Sequence, residues 1–226
     1  MSKMPKKIIP LKNKDKTDHE TWIKGRGMLN IPSPYFMLLV GPRNCGKSNF
    51  IMNLLGHADP PFDDGYVIHF DAEGTSEYDD SGLTVLPPEE LPSNKDIEKE
   101  GKKIIIFEDI PFESLSKEQK INLQGLIKYS ISHKNTSIIW TTHDYITGLP
   151  APYRRLCSVF VIYKMPDISS LTYIGNRCGM KTSEFLDVFK QFCVNCHDNI
   201  MVDLTKDSPY PLRYNVFHPI KILDDE

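Results

Sequence analysis

The chain has 226 residues, of which 40% are hydrophobic, and its formal net charge is −3. This length and composition suit one α/β domain with a sizeable core. No apolar run approaches the roughly 18 residues that a membrane-spanning helix needs. The net charge gives no general argument for nucleic-acid binding. The 5 irregularly spaced cysteines favour a reduced, intracellular compartment.

Charge is concentrated in two segments. We interpret residues 1–30 as a basic N-terminal arm, which either touches nucleic acid or is a solvated tail, and residues 31–226 as the domain. Six lysines crowd the first 16 residues of the arm: Lys3, Lys6, Lys7, Lys12, Lys14 and Lys16. Residues 63–80 carry seven acidic side chains, which we interpret as a solvated segment.

The strongest pattern begins with six apolar or aromatic residues at 35–40, which predict a strand buried on both faces. Residues 49–55 have helical spacing and predict a following helix. Between them the chain matches G-x-x-x-x-G-K-S with Gly41, Pro42, Arg43, Asn44, Cys45, Gly46, Lys47 and Ser48. Strand, glycine loop and helix form the context of a phosphate-binding P-loop, in which Lys47 would reach the β- and γ-phosphates and Ser48 would bind Mg²⁺.

Two carboxylates follow the next strong strand signal. Residues 65–70 predict a second strand, and residues 71–101 form a long connection that is either functional or mobile. Residues 103–109 then predict a buried strand that ends in Glu108 and Asp109, at the edge where ligands bind in open α/β sheets. We assign Glu108 to Mg²⁺ and Asp109 to the attacking water, although the reverse assignment also fits.

Residues 136–143 predict another buried strand, which follows a helix with a capping box at Ser116. The strand ends in Thr142 and His143, which either sense the γ-phosphate or simply cap the strand. Arg154 and Arg155 come shortly after. Either of them could stabilise transition-state charge in a neighbouring subunit or form an ordinary salt bridge. Arg177 is a weaker candidate for the same role.

The last third of the chain predicts strands at 156–163, 170–175, 199–204 and 213–217, and a helix at 183–193. Residues 193–197 match C-x-x-C-H, the pattern of c-type haem attachment. Nothing signals export, and a structural zinc site would need further ligands, so ordinary packing is the favoured interpretation. Together these elements predict an α/β P-loop NTPase with a mostly parallel central sheet flanked by helices.

Four of these patterns, at residues 41–48, 104–109, 138–143 and 149–157, resemble the genome-packaging ATPases of large eukaryotic DNA viruses and virophages in the FtsK–HerA superfamily. The resemblance covers roughly residues 36–165. It implies a RecA-like fold, ATP and Mg²⁺ as cofactors, and a homo-oligomeric ring (pentamer or hexamer) that moves double-stranded DNA into a preformed viral capsid. Capsid vertex proteins would be partners, and the host cytoplasm, the viral factory or the virion would be the location. Relatives often carry Gln where His143 stands.

The residues leave two other hypotheses open. One is another P-loop enzyme, a kinase or a GTPase, although no N-K-x-D pattern follows the P-loop. The other is a non-catalytic nucleotide-binding assembly protein. For DNA contacts, the sequence offers the segment Lys117–Lys120 and the basic arm, because a sequence-independent motor grips phosphates.

Overall fold

The computed structural model describes residues 31–205, 208 and 210–220, so the predicted basic arm lies outside the described residues. Within this part of the chain, one sheet has the strand order β3-β2-β4-β5-β1-β6-β7-β8-β9. The strands are β1 (Phe36–Val40), β2 (Asp64–Ile68), β3 (Thr84–Leu86), β4 (Lys103–Phe107), β5 (Thr136–Thr142), β6 (Val159–Tyr163), β7 (Asn199–Asp203), β8 (Leu212–Tyr214) and β9 (His218–Pro219). Strands β1 to β6 pair in parallel, and β7, β8 and β9 extend the sheet in antiparallel pairs.

Helices connect the strands on both faces of the sheet. They are α1 (Lys47–Gly56), α2 (Lys117–Gly125), α3 (Ile131–His133), α4 (Tyr145–Gly148), α5 (Ala151–Arg154), α6 (Ile168–Arg177) and α7 (Thr182–Phe192). A π-helical turn, Leu126–Ser130, joins α2 to α3. Among the described residues, none of these helices combines the length and the apolar character that crossing a membrane requires.

Strand β1 lies at the centre of the sheet and divides the core in two. Successive side chains of a strand point to opposite faces. Phe36 and Leu38 therefore join one hydrophobic cluster, which is covered by residues of α2, α6 and α7. Met37 and Leu39 join the other cluster, which is covered by Ile51 and Leu54 of α1. Burial on both faces explains why the strand reads as an uninterrupted apolar run.

The predicted strand at residues 170–175 is wrong, because this segment belongs to helix α6. Asp167 caps the helix, since its carboxylate accepts a hydrogen bond from the Ser169 N–H at 2.9 Å. Leu171 and Ile174 are buried, and Gly175 packs so closely that a Cβ atom there would lie 2.9 Å from Phe185 Cβ. A short apolar run is ambiguous between strand and helix, and here the packing against α7 decides.

The other predicted elements are present, with small shifts at their ends. The capping box at the start of α2 is formed by Ser116 and Gln119. The strand order also brings together the carboxyl ends of β4, β5 and β1, which are adjacent in the sheet. The P-loop, Glu108–Asp109 and Thr142–His143 therefore share one edge, as the sequence predicts for a parallel sheet.

Candidate active site

The P-loop turns sharply between β1 and α1. Asn44 and Gly46 both have positive φ, 59° and 102°, so the backbone takes the left-handed conformation that glycine adopts without strain. Helix α1 begins at Lys47, whose side chain is buried and returns over the loop. Its Nζ lies 3.1 Å from the Gly41 carbonyl oxygen and 3.2 Å from that of Pro42. The lysine is thus held at the place where the motif needs a cation.

Glu108 lies directly after β4 and faces the start of α1. Its Oε1 accepts a hydrogen bond from the Ser48 hydroxyl at 2.7 Å. Its Oε2 is buried and has no hydrogen-bond partner among the described residues. A buried carboxylate oxygen without a partner is costly unless something pairs with it. A hydroxyl beside a carboxylate with one free oxygen is a donor set that suits Mg²⁺, so the residues fit the predicted metal site.

Asp109 is fixed in an uncommon backbone conformation, with φ of 47°. Thr141 of β5 holds it there, because its Oγ1 accepts from the Asp109 N–H at 2.8 Å and donates to Asp109 Oδ1 at 3.1 Å. Asp109 Oδ2 then points to the P-loop, 3.9 Å from Lys47 Nζ. A strained residue that neighbours hold in place is a common feature of functional sites.

His143 joins the acidic pair to the P-loop. Its Nε2 lies 3.2 Å from Asp109 Oδ2, and its Nδ1 lies 3.1 Å from both Lys47 Nζ and the Gly41 carbonyl oxygen. In the neutral tautomer that donates from Nε2 to Asp109, Nδ1 is an acceptor and suits the lysine. Lys47, His143 and Asp109 therefore form one connected network.

Thr142, the other candidate at this strand end, is engaged in the turn that follows. Its Oγ1 donates to the Asp144 carbonyl oxygen at 3.0 Å, and it packs so tightly on Gly148 that a Cβ atom there would lie 1.8 Å away. Thr142 meets the P-loop through its backbone, since its carbonyl oxygen accepts from the Gly41 N–H at 3.1 Å, and of the two predicted sensors His143 is the one whose side chain contacts P-loop residues.

None of the three predicted arginines, Arg154, Arg155 and Arg177, lines the cavity that surrounds the P-loop. Arg154 donates to the backbone carbonyl oxygens of Tyr145 and Ile146, and its guanidinium lies 4.6 Å from the centre of the Tyr145 ring. Arg177 supports the same loop, since it donates to the Arg155 carbonyl oxygen at 3.2 Å. Arg155 is exposed, and within the described residues its side chain makes no hydrogen bond or ion pair. These residues line a separate arginine cavity of about 340 Å³.

The P-loop cavity has a volume of about 920 Å³, and sequence reasoning missed part of its lining. His69 and Glu77 line it, so the acidic segment is not only a solvated surface. Tyr78 is fully buried nearby, and burial followed by the charge of Glu108 raises its pKa far above the ordinary value. Burial likewise raises the pKa of the Cys45 thiol, which keeps that P-loop side chain uncharged at neutral pH.

Thr141, Tyr163 and His197 are the other contributors that the sequence analysis did not place at this site. Thr141 gave a signal, since it is a polar residue inside a buried strand. Tyr163 donates from its hydroxyl to the Gly46 carbonyl oxygen at 3.1 Å, and His197 Nδ1 lies 3.1 Å from that of Cys45. These last two contacts join distant parts of the sequence, so no local pattern could reveal them.

The predicted DNA contacts are Lys117–Lys120 and the basic arm, and the structure describes only the first of these. Lys117 is exposed, while Lys120 lies 3.6 Å from Glu113 and stacks over the Phe112 ring at 5.0 Å. The basic arm lies outside the described residues. The DNA-contact assignment stays a prediction.

Comparisons with known proteins bear on the fold. No family model matches the chain. It is 29% identical over 125 residues to AAA-ATPase At2g46620 of Arabidopsis thaliana, a match that covers 54% of this chain and 22% of that protein. The chain therefore spans only about a fifth of the length of that curated relative.

Solved structures match over most of the chain. The DNA-packaging ATPase B204 of Sulfolobus turreted icosahedral virus superposes with a TM-score of 0.60 at 12% identity, covering 84% of this chain and 100% of B204. The genome packaging NTPase B204 of Sulfolobus turreted icosahedral virus 2, in complex with ATP-γ-S, has a TM-score of 0.55 at 14% identity, and the match covers 80% of this chain and 96% of that one. The pCW3 conjugation coupling protein TcpA has a TM-score of 0.52 at 12% identity, and the match covers 78% of this chain and 59% of TcpA.

This chain has the P-loop fold that these solved ATPase structures share. The fold class predicted from the sequence is thus confirmed, and the resemblance to packaging ATPases is confirmed at the level of the fold. At 12% to 14% identity these matches do not extend to the activity or the partners.

Proposed function

We propose that the chain is an ATPase that couples hydrolysis to the movement of double-stranded DNA, and that it works as a homo-oligomeric ring at the vertex of a preformed viral capsid. The observation that carries the ATPase is the convergence of Ser48 with Glu108 and of Lys47 with Asp109 and His143 at one sheet edge. The DNA substrate, ring and capsid rest on the likeness to packaging ATPases, and the pentamer or hexamer is part of the proposal.

The residues divide the chemistry between them. Lys47 and the P-loop N–H groups bind the β- and γ-phosphates of ATP. Ser48 and Glu108 would hold Mg²⁺, which when bound neutralises charge on those phosphates. Asp109 orients the attacking water and takes its proton, because Thr141 and His143 hold its carboxylate at the mouth of the P-loop.

His143 is suited to report whether the γ-phosphate is present. It contacts both the cation that binds this phosphate, Lys47, and the carboxylate that acts on the water, Asp109. When Lys47 turns from His143 toward a phosphate, His143 loses one of its three contacts, so nucleotide occupancy changes the contacts at the end of β5. This is the link between hydrolysis and movement that a motor requires.

The test is steady-state ATP hydrolysis by the pure full-length chain, with and without double-stranded DNA and over a range of salt concentrations. We expect hydrolysis that DNA stimulates, that salt weakens because phosphate contacts dominate DNA binding, and that Lys47→Ala abolishes. Hydrolysis indifferent to DNA would contradict the motor and favour a P-loop kinase or regulatory ATPase. ATP binding without hydrolysis under every condition would contradict the ATPase and favour an assembly protein.

A further inference from the structure

The C-x-x-C-H segment has no role in the chemistry described above. Cys193 is buried, Cys196 is exposed, and His197 lines the P-loop cavity. Among the described residues, no group of three or more His, Cys, Asp or Glu side chains is arranged to hold a metal ion. The histidine is therefore the member of the segment that reaches a functional element.

Asp198 fixes the turn that presents this histidine. Its Oδ2 accepts hydrogen bonds from the backbone N–H groups of Val194 and Asn195, at 3.1 and 2.6 Å. Its Oδ1 accepts from the Tyr214 hydroxyl at 2.9 Å, which ties the turn to β8. Because Asp198 is 7% exposed and bonded on both oxygens, the backbone of the turn that carries His197, just before β7, is held in place.

Two successive carbonyl groups of the P-loop are bound by residues at the end of β6 and in the turn before β7. His197 Nδ1 lies 3.1 Å from the Cys45 carbonyl oxygen, and the Tyr163 hydroxyl donates to the Gly46 carbonyl oxygen at 3.1 Å. Tyr163 is 2% exposed, and burial raises the pKa of its hydroxyl, which keeps it a donor. Its contact with the loop is tight, since a Cβ atom on Gly41 would lie 2.6 Å from Tyr163 Cβ.

These two bonds help to fix where the loop's N–H groups point, together with the first backbone bond of α1, in which the Gly46 carbonyl oxygen accepts from the Phe50 N–H at 2.9 Å. In a trans peptide unit the carbonyl and the following N–H point in opposite directions. Holding the carbonyl groups of Cys45 and Gly46 toward β6 and β7 therefore turns the N–H groups of Gly46 and Lys47 away from these strands, and both residues line the P-loop cavity. Successive N–H groups aimed at one point are what binds phosphate in such a loop.

We propose that Tyr163 and His197 are positioning residues that preorganise the P-loop for the polyphosphate of a nucleotide. The end of β6 and the turn before β7 thereby set the nucleotide affinity of a site whose chemistry lies at the ends of β1, β4 and β5. This inference rests on the nucleotide site of the proposed function, but not on hydrolysis, DNA or assembly.

The experiment measures dissociation constants by titration calorimetry for two probes, ATP and inorganic tripolyphosphate, which has no base or ribose. The variants are His197→Ala, His197→Asn and Tyr163→Phe. Asparagine places an amide N–H near the position of the histidine Nδ1 and preserves the donor. The control is His57→Ala, because His57 Nδ1 makes an equivalent contact to the Asn53 carbonyl oxygen at 2.8 Å on the exposed end of α1.

We expect His197→Ala and Tyr163→Phe each to weaken both probes by about 3- to 10-fold, the effect of one lost hydrogen bond. His197→Asn should return both constants to within about twofold of wild type, and His57→Ala should leave them unchanged. Thermal unfolding of each variant, measured alongside, separates loss of affinity from loss of fold.

Three results would overturn the inference. The first is wild-type affinity in both His197→Ala and Tyr163→Phe. The second is weakened binding of ATP with unchanged binding of tripolyphosphate, which would place His197 against the base. The third is an equal loss in His197→Asn, which would mean that the ring's shape and not its donor matters. If the wild-type chain binds neither probe, the proposed function itself fails.

Discussion

The P-loop cavity and the arginine cavity differ in how their charged side chains are paired. In the P-loop cavity, Lys47 lies 3.9 Å from Asp109, and Asp109 lies 3.2 Å from His143. In the arginine cavity, Arg154 is held by backbone carbonyl groups and the Tyr145 ring. Arg155 is exposed, and within the described part of the chain its side chain has no hydrogen-bond or ion-pair partner.

This difference separates binding from completion of the site. The P-loop cavity is lined by Lys47, Arg43, carboxylates and histidines of one chain, so we expect one chain to suffice for nucleotide binding. Phosphoryl transfer gains most from a further cation near the developing charge. Arg155 is exposed on the surface of the same chain, outside that cavity, and in the proposed ring it would reach a neighbouring subunit. The comparison thus predicts that catalysis needs two subunits and that binding needs one.

The largest effect is expected from Arg155→Ala. Loss of an arginine that acts in trans lowers kcat by about 10³-fold, while ATP affinity measured at low protein concentration stays unchanged. Arg154→Ala is the comparison variant: it removes the contacts that hold α4 and α5 together, so we expect a lower melting temperature. Wild-type kcat in Arg155→Ala would remove the reason for treating the two cavities as one shared site.

Asp109→Asn tests the chemistry inside the P-loop cavity. The amide keeps the size of the side chain but cannot take a proton, so kcat should fall by about 10²-fold with little change in ATP affinity. Asp167→Asn, at the cap of α6, is a matched loss of charge at a residue that does not line the cavity, and it should leave kcat unchanged. Hydrolysis measured with saturating ATP decides this, and an active Asp109→Asn would assign the base role to Glu108.

The sequence predicts only some of the side-chain contacts that distinguish the two cavities. The P-loop and the acidic pair were predictable because each lies at the end of a buried apolar run, where the chain must leave the sheet. The distinction between Arg154 and Arg155 was not predictable from the sequence. Adjacent residues on a helix point about 100° apart, so the position of α4, whose carbonyl groups bind Arg154, decides which arginine is held. The contact of His197 with the P-loop was not predictable, because it depends on how β7 pairs with β6.

Thr141→Val should have the smallest effect in this set. Valine fills the same space but cannot bond Asp109, so the carboxylate is less well fixed and kcat should fall by about 10-fold. Thr136→Val is the control: Thr136 is equally buried in β5 and donates to the Lys134 carbonyl oxygen at 3.1 Å, away from the site. An equal loss of kcat in both variants would show that β5 packing, and not the bond to Asp109, is responsible.

The most direct test of a site shared between subunits mixes two inactive proteins. Lys47→Ala keeps Arg155 but has no working P-loop, and Arg155→Ala keeps the P-loop but has no arginine to donate. In an equal mixture, about one quarter of the interfaces of a randomly assembled ring unite an intact P-loop with an intact arginine. The account predicts that DNA-stimulated ATP hydrolysis returns to about that fraction of the wild-type rate. A mixture no more active than the two proteins measured separately, in assemblies that bind both ATP and DNA, would contradict it.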